Sequence, residues 1–133
     1  MTAMLPAKNK ITSEFLASSV GNNPVEIRRL LSDLKKAGII HVARGTGGTE
    51  LLREPKDITL LDIYNAVDPK SLDDLIGVHS HPAKRCPFGR NISSLLAEPY
   101  ADVSGAVREK MAAITLEQLC SRLMEMEPGI AKL

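Results

Sequence analysis

Positions 21 to 24, Gly-Asn-Asn-Pro, separate two segments of helical pattern and constrain the fold more than any other feature. Gly21 can adopt a positive φ and end the first helix, Asn23 can cap the second, and Pro24 suits a first helical position because no N–H is needed there. Glu26, three residues after Asn23, adds the spacing of a capping box. The sequence therefore predicts a short helix over residues 12–20, a tight turn and a longer helix over residues 24–37.

The second helix has two faces of different character. Its predicted buried face repeats at helical period and consists of Ile27, Leu30, Leu31 and Leu34. The opposite face carries Val25, Arg29, Ser32 and Lys36. A cationic and polar stripe with one small apolar residue can contact phosphates, base edges and a thymine methyl group. On an isolated helix such a stripe is more often an ordinary solvated surface, and it is the neighbouring segment that favours DNA.

That neighbouring segment has the pattern of a β-hairpin. Gly38 ends the helix, residues 39–42 form a β-branched strand, residues 44–48 form a glycine-rich tip, and residues 49–52 return as the partner strand. The tip does not fit a nucleotide-binding loop, because no helix and no Lys-Ser/Thr follow it. Two helices followed by a basic hairpin indicate a winged helix-turn-helix, whose second helix and wing suit a DNA duplex.

Charge distribution agrees with this interpretation. The 133-residue chain is 44% hydrophobic and has a net charge of only +1. Residues 1–53 carry eight Lys/Arg against four Asp/Glu, whereas residues 54–133 carry nine against twelve. Positive charge therefore gathers where phosphates would bind. The sequence has neither an apolar run long enough to span a bilayer nor a signal-peptide pattern, so we expect a cytoplasmic protein.

The second half of the chain predicts two more helical regions on either side of a linker. Thr59 and Asp62 have the spacing of a capping box, and so do Thr115 and Gln118. Helical character also returns over residues 90–113, with a kink or break expected near Glu98 because Pro99 follows it. The last helix carries Leu116, Leu119, Cys120 and Leu123 on one face, which makes Cys120 a predicted core residue.

Several motifs resemble the Rrf-two (BadM-type) family of winged helix-turn-helix transcriptional regulators. They are the block TSEFLASSVGNNPVEIRRLLSDLKKAGII, the RGTGG wing, the helix in PKDITLLDIYNAV and the CPFG-N-I entry to a long helix, and the resemblance spans about residues 11–126. It implies a homodimer whose long helices cross. It also implies that residues 24–37 enter a major groove and residues 44–48 the adjacent minor groove.

The candidate DNA contacts combine the family's positions with the exposed stripe, the helix cap and the wing tip. The resemblance itself implies Thr12, Ser13, Asn22, Val25, Arg28 and Arg29. The residue patterns add Asn23, Ser32, Lys36, Arg44, Thr46, Gly47 and Gly48.

Two features depart from the family pattern. Family members usually begin with a longer helix, whereas only MTAMLPAKNK precedes Ile11 here, so we expect a truncated or mis-assigned start, or a weaker core and dimer. Several members hold an iron-sulfur cluster on three closely spaced cysteines, whereas this chain has only Cys86 in that region. The cysteine count therefore favours a protein without a cofactor.

The linker nevertheless contains His79, His81 and Cys86 within eight residues. Two imidazoles and a thiolate could bind zinc, or iron-sulfur iron with histidine replacing cysteine. The alternative is a polar surface loop beside a lone thiol. In a third interpretation Cys86 is a redox-sensitive thiol near a helix N-terminus.

The sequence thus predicts a mainly α fold with a small β-hairpin wing. It comprises a winged helix-turn-helix over residues 1–67, a linker or sensor loop over 68–89 and dimerisation helices over 90–133. We expect a homodimeric DNA-binding repressor that responds to a redox, metal or small-molecule signal. The alternative is a winged-helix protein-interaction module that does not bind DNA. An enzyme is not expected, since no nucleophile-base pairing or catalytic signature is present.

Overall fold

A computed structural model describes residues 11–42, 48–68, 70 and 86–129 of the chain. Over these residues it contains five α-helices, one two-stranded antiparallel sheet and a short 3-10 turn at Pro55–Asp57. The helices are α1 (Ser13–Val20), α2 (Pro24–Lys36), α3 (Leu60–Val67), α4 (Pro87–Ala112) and α5 (Leu116–Met126), and the strands are β1 (Ile40–Val42) and β2 (Thr49–Leu51). The predicted mainly α fold with a small β-hairpin is confirmed. None of the helices in this described part is long and apolar enough to cross a membrane.

The turn between α1 and α2 forms as its sequence predicts. Gly21 ends α1 with a φ of 67°, a left-handed conformation that favours glycine. The side chain of Asn23 accepts a hydrogen bond of 2.8 Å from the N–H of Val25 and so caps α2, with Pro24 at the first helical position. The predicted capping box with Glu26 is wrong. The carboxylate of Glu26 instead lies 3.7 Å from the guanidinium of Arg29.

Gly38 separates α2 from the hairpin. It has a φ of 69°, and the N–H groups of Gly38 and Ile39 donate to the carbonyl oxygens of Lys35 and Leu34, each at 3.0 Å. This pair of bonds is a Schellman motif, which satisfies carbonyls that the helix end would leave free. β1 then pairs with β2 in the register Ile40 to Leu51, His41 to Glu50 and Val42 to Thr49.

The core lies between the hairpin, α2, α3 and the start of α5. Ile39, Ile40 and Ile58 form its buried centre. Partly buried apolar side chains surround this centre; they are Leu31, Leu34, Val42, Leu51, Ile63, Ala66 and Leu116. Burial of this apolar surface is the main force that holds the winged unit together.

The N-terminal ends of α3 and α5 are joined through backbone atoms. The N–H of Leu60 donates to the carbonyl of Ile114, and the N–H of Leu116 donates to the carbonyl of Ile58, both at 2.8 Å. Each helix also begins with the predicted capping box, on Thr59 and on Thr115. The last helix is therefore fixed to the winged unit at its first residue.

α4 differs from expectation in two ways. It begins at Pro87 rather than at residue 90, because proline is well suited to a first helical position. The predicted break near Glu98 is wrong, since α4 continues through Pro99 to Ala112. In the single chain, Pro99 and Leu95 both lie on the exposed side of the helix, so this turn of α4 is not packed tightly where the Pro99 ring replaces an N–H.

The apolar faces of α4 and α5 are less buried than their patterns predict. Leu95 and Val103 on α4 are exposed, and so are Leu119 and Leu123 on α5. Cys120, predicted as a core residue, is only half-buried. The reason is that α5 packs on the 3-10 turn through its first residues and leaves its C-terminal part uncovered within the chain.

Candidate nucleic-acid interface

The exposed face of α2 contains the four residues that the helical wheel placed there. Val25 is 61% exposed, and Arg29, Ser32 and Lys36 are exposed along the same face. Ile27, on the opposite side, is buried. The face is a continuous surface of cationic, hydroxyl and small apolar groups. These are the side-chain types that contact phosphates and base edges in the major groove.

The cations of this face are held by carboxylates of the same helix. Asp33 Oδ1 lies 3.0 Å from Lys36 Nζ, and Asp33 Oδ2 lies 4.0 Å from Arg29 Nε. Glu26 contacts the same arginine from one turn earlier. All these pairs follow the i, i+3 or i, i+4 spacing of a helix surface. The exposed face therefore carries its positive charge already partly neutralised.

A second ion pair joins the two helices. Arg28 Nη2 donates to Glu14 Oε1 at 2.6 Å, and the hydroxyl of Ser13 donates to Glu14 Oε2 at 3.2 Å. The hydrogen bond from Arg28 holds the pKa of the Glu14 carboxyl below its ordinary value. Both side chains are exposed, so the pair can exchange with an external anion. It directs Arg28 toward the start of α1.

A cleft of about 440 Å³ lies between the start of α1, α2 and the base of the hairpin. Its apolar wall is formed by Ile11, Leu31 and Val42. Its polar rim brings together five of the predicted contact residues, which are Thr12, Ser13, Arg28, Ser32 and Gly48. The helix-turn-helix and the hairpin base thus form one surface.

The other candidate residues lie in the turn before α2, at the start of α1 or outside the described residues. Asn22 and Asn23 are exposed in the turn before α2, where the N–H of Asn23 donates to the Asn22 side chain at 2.7 Å. Thr12 caps α1, its hydroxyl oxygen accepting from the N–H of Phe15 at 3.1 Å. Arg44, Thr46 and Gly47 of the wing tip lie outside the described residues. So do His79 and His81 of the linker.

Sequence reasoning missed the carboxylate partners of the basic residues. The spacing of Arg29, Asp33 and Lys36 could have indicated these ion pairs, because residues three and four apart are neighbours on a helix. The contact of Glu14 with Arg28 had no such signal. It depends on how α1 crosses α2, which local sequence does not state.

A family model and a bacterial relative that match this chain are both described as transcriptional regulators. A family model named Rrf2 and described as iron-dependent transcriptional regulator, the Rrf-two family of the motifs above, matches residues 1–122. The chain is 36% identical over 121 residues to YwnA of Bacillus subtilis (strain 168), named provisionally as an HTH-type transcriptional regulator, and the match covers 91% of this chain and 90% of YwnA.

Solved structures share this fold. A crystal structure described provisionally as a DNA-binding protein shares 35% identity with a TM-score of 0.68, covering 84% of this chain and 85% of its own. A provisionally assigned transcriptional regulator from Lactobacillus plantarum shares 27% identity with a TM-score of 0.69, covering 93% and 82%.

The iron in the family description requires donors that the described residues do not supply. Cys86 is exposed at the start of α4, and its side chain makes no capping hydrogen bond. Within the described ranges, no group of three or more His, Cys, Asp or Glu side chains is arranged to hold a metal ion. Cys120 lies on α5, and these are the chain's two cysteines. Since protein-bound iron-sulfur clusters are usually held by four cysteines, these two cysteines do not supply such a site by themselves.

Proposed function

The chain belongs to the Rrf2 family and is a DNA-binding transcriptional regulator, and from this premise we propose that it acts as a homodimeric repressor that reads duplex DNA with α2. In this proposal α2 enters the major groove and the hairpin lies against the adjacent minor groove. Repression follows because a dimer bound across a promoter excludes the polymerase from the same DNA.

The exposed face of α2 is the observation that carries the proposal. Arg29 and Lys36 supply N–H donors, Ser32 supplies a hydroxyl, and Val25 supplies exposed methyl groups. Guanine is read by arginine and the thymine methyl group by small apolar side chains. We therefore assign base contacts to Arg29 and Val25, and backbone contacts to Lys36.

The residues around α2 suit the sugar-phosphate backbone. Thr12 and Ser13 begin α1, and Asn22 and Asn23 precede α2, so their polar groups lie beside helix N-termini that favour anions. Arg28 lies at the rim of the cleft with Gly48 at the base of the hairpin. We place Arg44, Thr46 and Gly47 at the minor groove, as the family resemblance implies.

A homodimer is favoured by uncovered apolar side chains on the long helix. Phe88 and Leu95, seven residues apart on α4, share one face and are 85% and 70% exposed. Leu119, Leu123 and Met126 add exposed apolar surface on α5. A second copy would remove this surface from water. In a dimer the two copies of α2 would read half-sites one helical turn apart, about 34 Å, which predicts a palindromic operator.

The test is selection of duplexes from a random pool, followed by gel-shift titration of the selected duplex at several salt concentrations. Binding should weaken steeply with salt, because phosphate contacts release counterions. Arg29→Ala should lower affinity by about 1 to 3 kcal/mol and relax specificity at one base pair. Lys36→Ala should weaken all duplexes alike and make the salt slope less steep by about one.

Arg122→Ala removes an exposed cation from α5 and serves as the control. It should leave the affinity and the salt slope unchanged. Transcription from a template that carries the selected site should fall when the protein is added, which tests repression. A folded dimer that shifts no duplex at low salt would contradict the proposal and favour a protein-interaction module.

A further inference from the structure

The helix-turn-helix is nearly neutral, although it is the DNA-reading unit. Residues 13–36 contain four Lys/Arg and three Asp/Glu. The three acidic residues are Glu14, Glu26 and Asp33, and the carboxylate of each lies within 4.0 Å of an arginine or lysine nitrogen. Most of the excess of positive charge in the first 53 residues therefore lies outside these two helices. In α1 and α2, three of the four cations, Arg28, Arg29 and Lys36, are paired with a carboxylate.

Asp33 occupies a special position in this arrangement. Its carboxylate accepts a hydrogen bond from Lys36 Nζ at 3.0 Å and lies 4.0 Å from Arg29 Nε, so it is paired with both cations of the exposed face of α2. Its side chain is 23% exposed, whereas those of Arg29 and Lys36 are 59% and 74% exposed. Asp33 thus lies at the edge of the exposed face, closer to the body of the protein than the charged ends of Arg29 and Lys36. It can stay in contact with their inner N–H groups while their outer N–H groups face a ligand.

The arrangement affects two kinds of DNA binding differently. Binding without sequence preference depends almost entirely on cations that neutralise phosphates and release counterions. A cation shared with a carboxylate releases fewer counterions, so this binding is weakened. Sequence-specific binding also uses directed hydrogen bonds to bases, and arginine has five N–H donors in a fixed planar group. Arg29 can therefore donate to a guanine with its outer N–H groups while the Asp33 carboxylate, 4.0 Å from Nε, attracts the inner edge of the guanidinium and favours one orientation.

We propose that Asp33 is a specificity-determining residue: its carboxylate competes with DNA phosphates for Arg29 and Lys36, and it orients Arg29 toward one base. At the edge of the interface, Glu14 competes with DNA phosphates for Arg28 in the same way. This inference rests on the proposed function, because it assumes that the exposed face of α2 meets DNA. It adds that the acidic residues of the unit set the ratio between selective and general DNA binding.

The experiment compares wild type with Asp33→Asn on the selected duplex and on a shuffled duplex of the same length and composition. Both are titrated from about 50 to about 200 mM salt, the range over which phosphate contacts dominate the change in affinity. On the shuffled duplex, Asp33→Asn should bind about fivefold more tightly, and its salt slope should steepen by about one. On the selected duplex the affinity should stay constant or fall. The specificity ratio, which is the affinity for the selected duplex divided by that for the shuffled duplex, should therefore decrease.

Three further variants make the result specific to position and charge. Asp33→Glu keeps the carboxylate and should retain most of the wild-type ratio. Glu14→Gln should lower the ratio in the same direction through Arg28. Glu125→Gln removes one negative charge from an exposed position on α5 and should leave the ratio unchanged. Circular dichroism of each variant shows that the helices are intact.

The outcomes separate this inference from the proposed function. If Asp33→Asn tightens both duplexes by the same factor, the carboxylate contributes only general repulsion and the inference is overturned. An unchanged ratio in both Asp33→Asn and Glu14→Gln overturns it as well. If wild type binds neither duplex, the proposed function fails first. If wild type binds selectively and the variants have the same specificity ratio as wild type, the proposed function is supported and only this inference is overturned.

Discussion

Arg53 and Asp62 connect the end of the hairpin to the start of α3. Arg53 Nη2 lies 3.0 Å from Asp62 Oδ2, and the same carboxylate oxygen accepts from the N–H of Thr59 at 2.9 Å. The hydroxyl oxygen of Thr59 in turn accepts from the N–H of Asp62 at 3.1 Å, which completes a capping box. One carboxylate thus caps a helix and holds the strand that precedes it. This explains how β2, the 3-10 turn and α3 keep a fixed arrangement over a short stretch of chain.

Replacing Asp62 by alanine should destabilise the protein by about 1 kcal/mol, the usual effect of losing a helix cap. Urea denaturation at neutral pH measures this difference. Arg53→Ala serves as the comparison. It removes the exposed ion pair but leaves the capping box, and it should have the smaller effect. An Arg53→Ala effect as large as that of Asp62→Ala would contradict the assignment of the stability to the cap.

The contribution of Asp62 should depend on pH in the acid range. The N–H of Thr59, together with the other hydrogen bonds to the carboxylate, holds the pKa of Asp62 below its ordinary value of 3.8. The stabilisation is therefore complete above pH 3.8 and is lost as the pH falls through the lower pKa of the folded state. The difference in unfolding free energy between wild type and Asp62→Ala should shrink over that window. A difference that stays constant into strong acid would show that the charged carboxylate is not responsible.

Ile58 is the residue on which the core depends most. It is 0% exposed, and its carbonyl accepts the hydrogen bond that fixes the start of α5. Ile58→Ala should lower the unfolding free energy by about 2 to 5 kcal/mol, and Ile58→Val by about 0.5 to 1.5 kcal/mol. Leu52→Ala removes an apolar side chain that is 58% exposed and should change stability by less than about 0.5 kcal/mol. Equal effects of Ile58→Ala and Leu52→Ala in urea denaturation would refute this description of the core.

Two glycines should respond to alanine substitution in opposite directions. Gly38 has a φ of +69° at the end of α2, so Gly38→Ala should destabilise the protein by about 1 kcal/mol. Gly105 lies within α4, where an added Cβ meets no atom within 4 Å, so Gly105→Ala should stabilise it by about 0.5 to 1 kcal/mol. Thermal unfolding measures both. Shifts of the same sign would contradict the backbone conformations described above.

The helix ends were the most predictable part of the fold. Gly21, Asn23, Thr59 and Thr115 act through hydrogen bonds within three residues or through their own φ, so the local sequence contains all the information needed. Glu26 shows the limit of this reasoning. Its spacing suits a capping box, but the arginine one turn later competes for the same carboxylate.

Features that join distant segments could not be predicted in the same way. The backbone hydrogen bond between Ile58 and Leu116 depends on how the chain returns after α4. A kink or break was expected near Glu98 because Pro99 removes an N–H there, but α4 continues through it. In the candidate interface, the helical period was sufficient to predict which residues of α2 are exposed. The contact between Glu14 and Arg28 was not predictable, because it is set by the crossing of two helices.

The apolar face of α4 provides the last prediction, which concerns self-association. α4 has 26 residues and is therefore about 39 Å long, enough for an extended contact with a second copy. Leu95→Glu places a charge in this face and should convert a dimer to a monomer, because an unpaired charge is not stable in an apolar interface. Sedimentation equilibrium measures the change, with Leu52→Glu as a control on the exposed end of the hairpin. Leu95→Glu should also weaken binding to a palindromic duplex, since each subunit would then bind its half-site alone. A wild-type monomer, or a Leu95→Glu variant that remains dimeric, would exclude this face as the dimer interface.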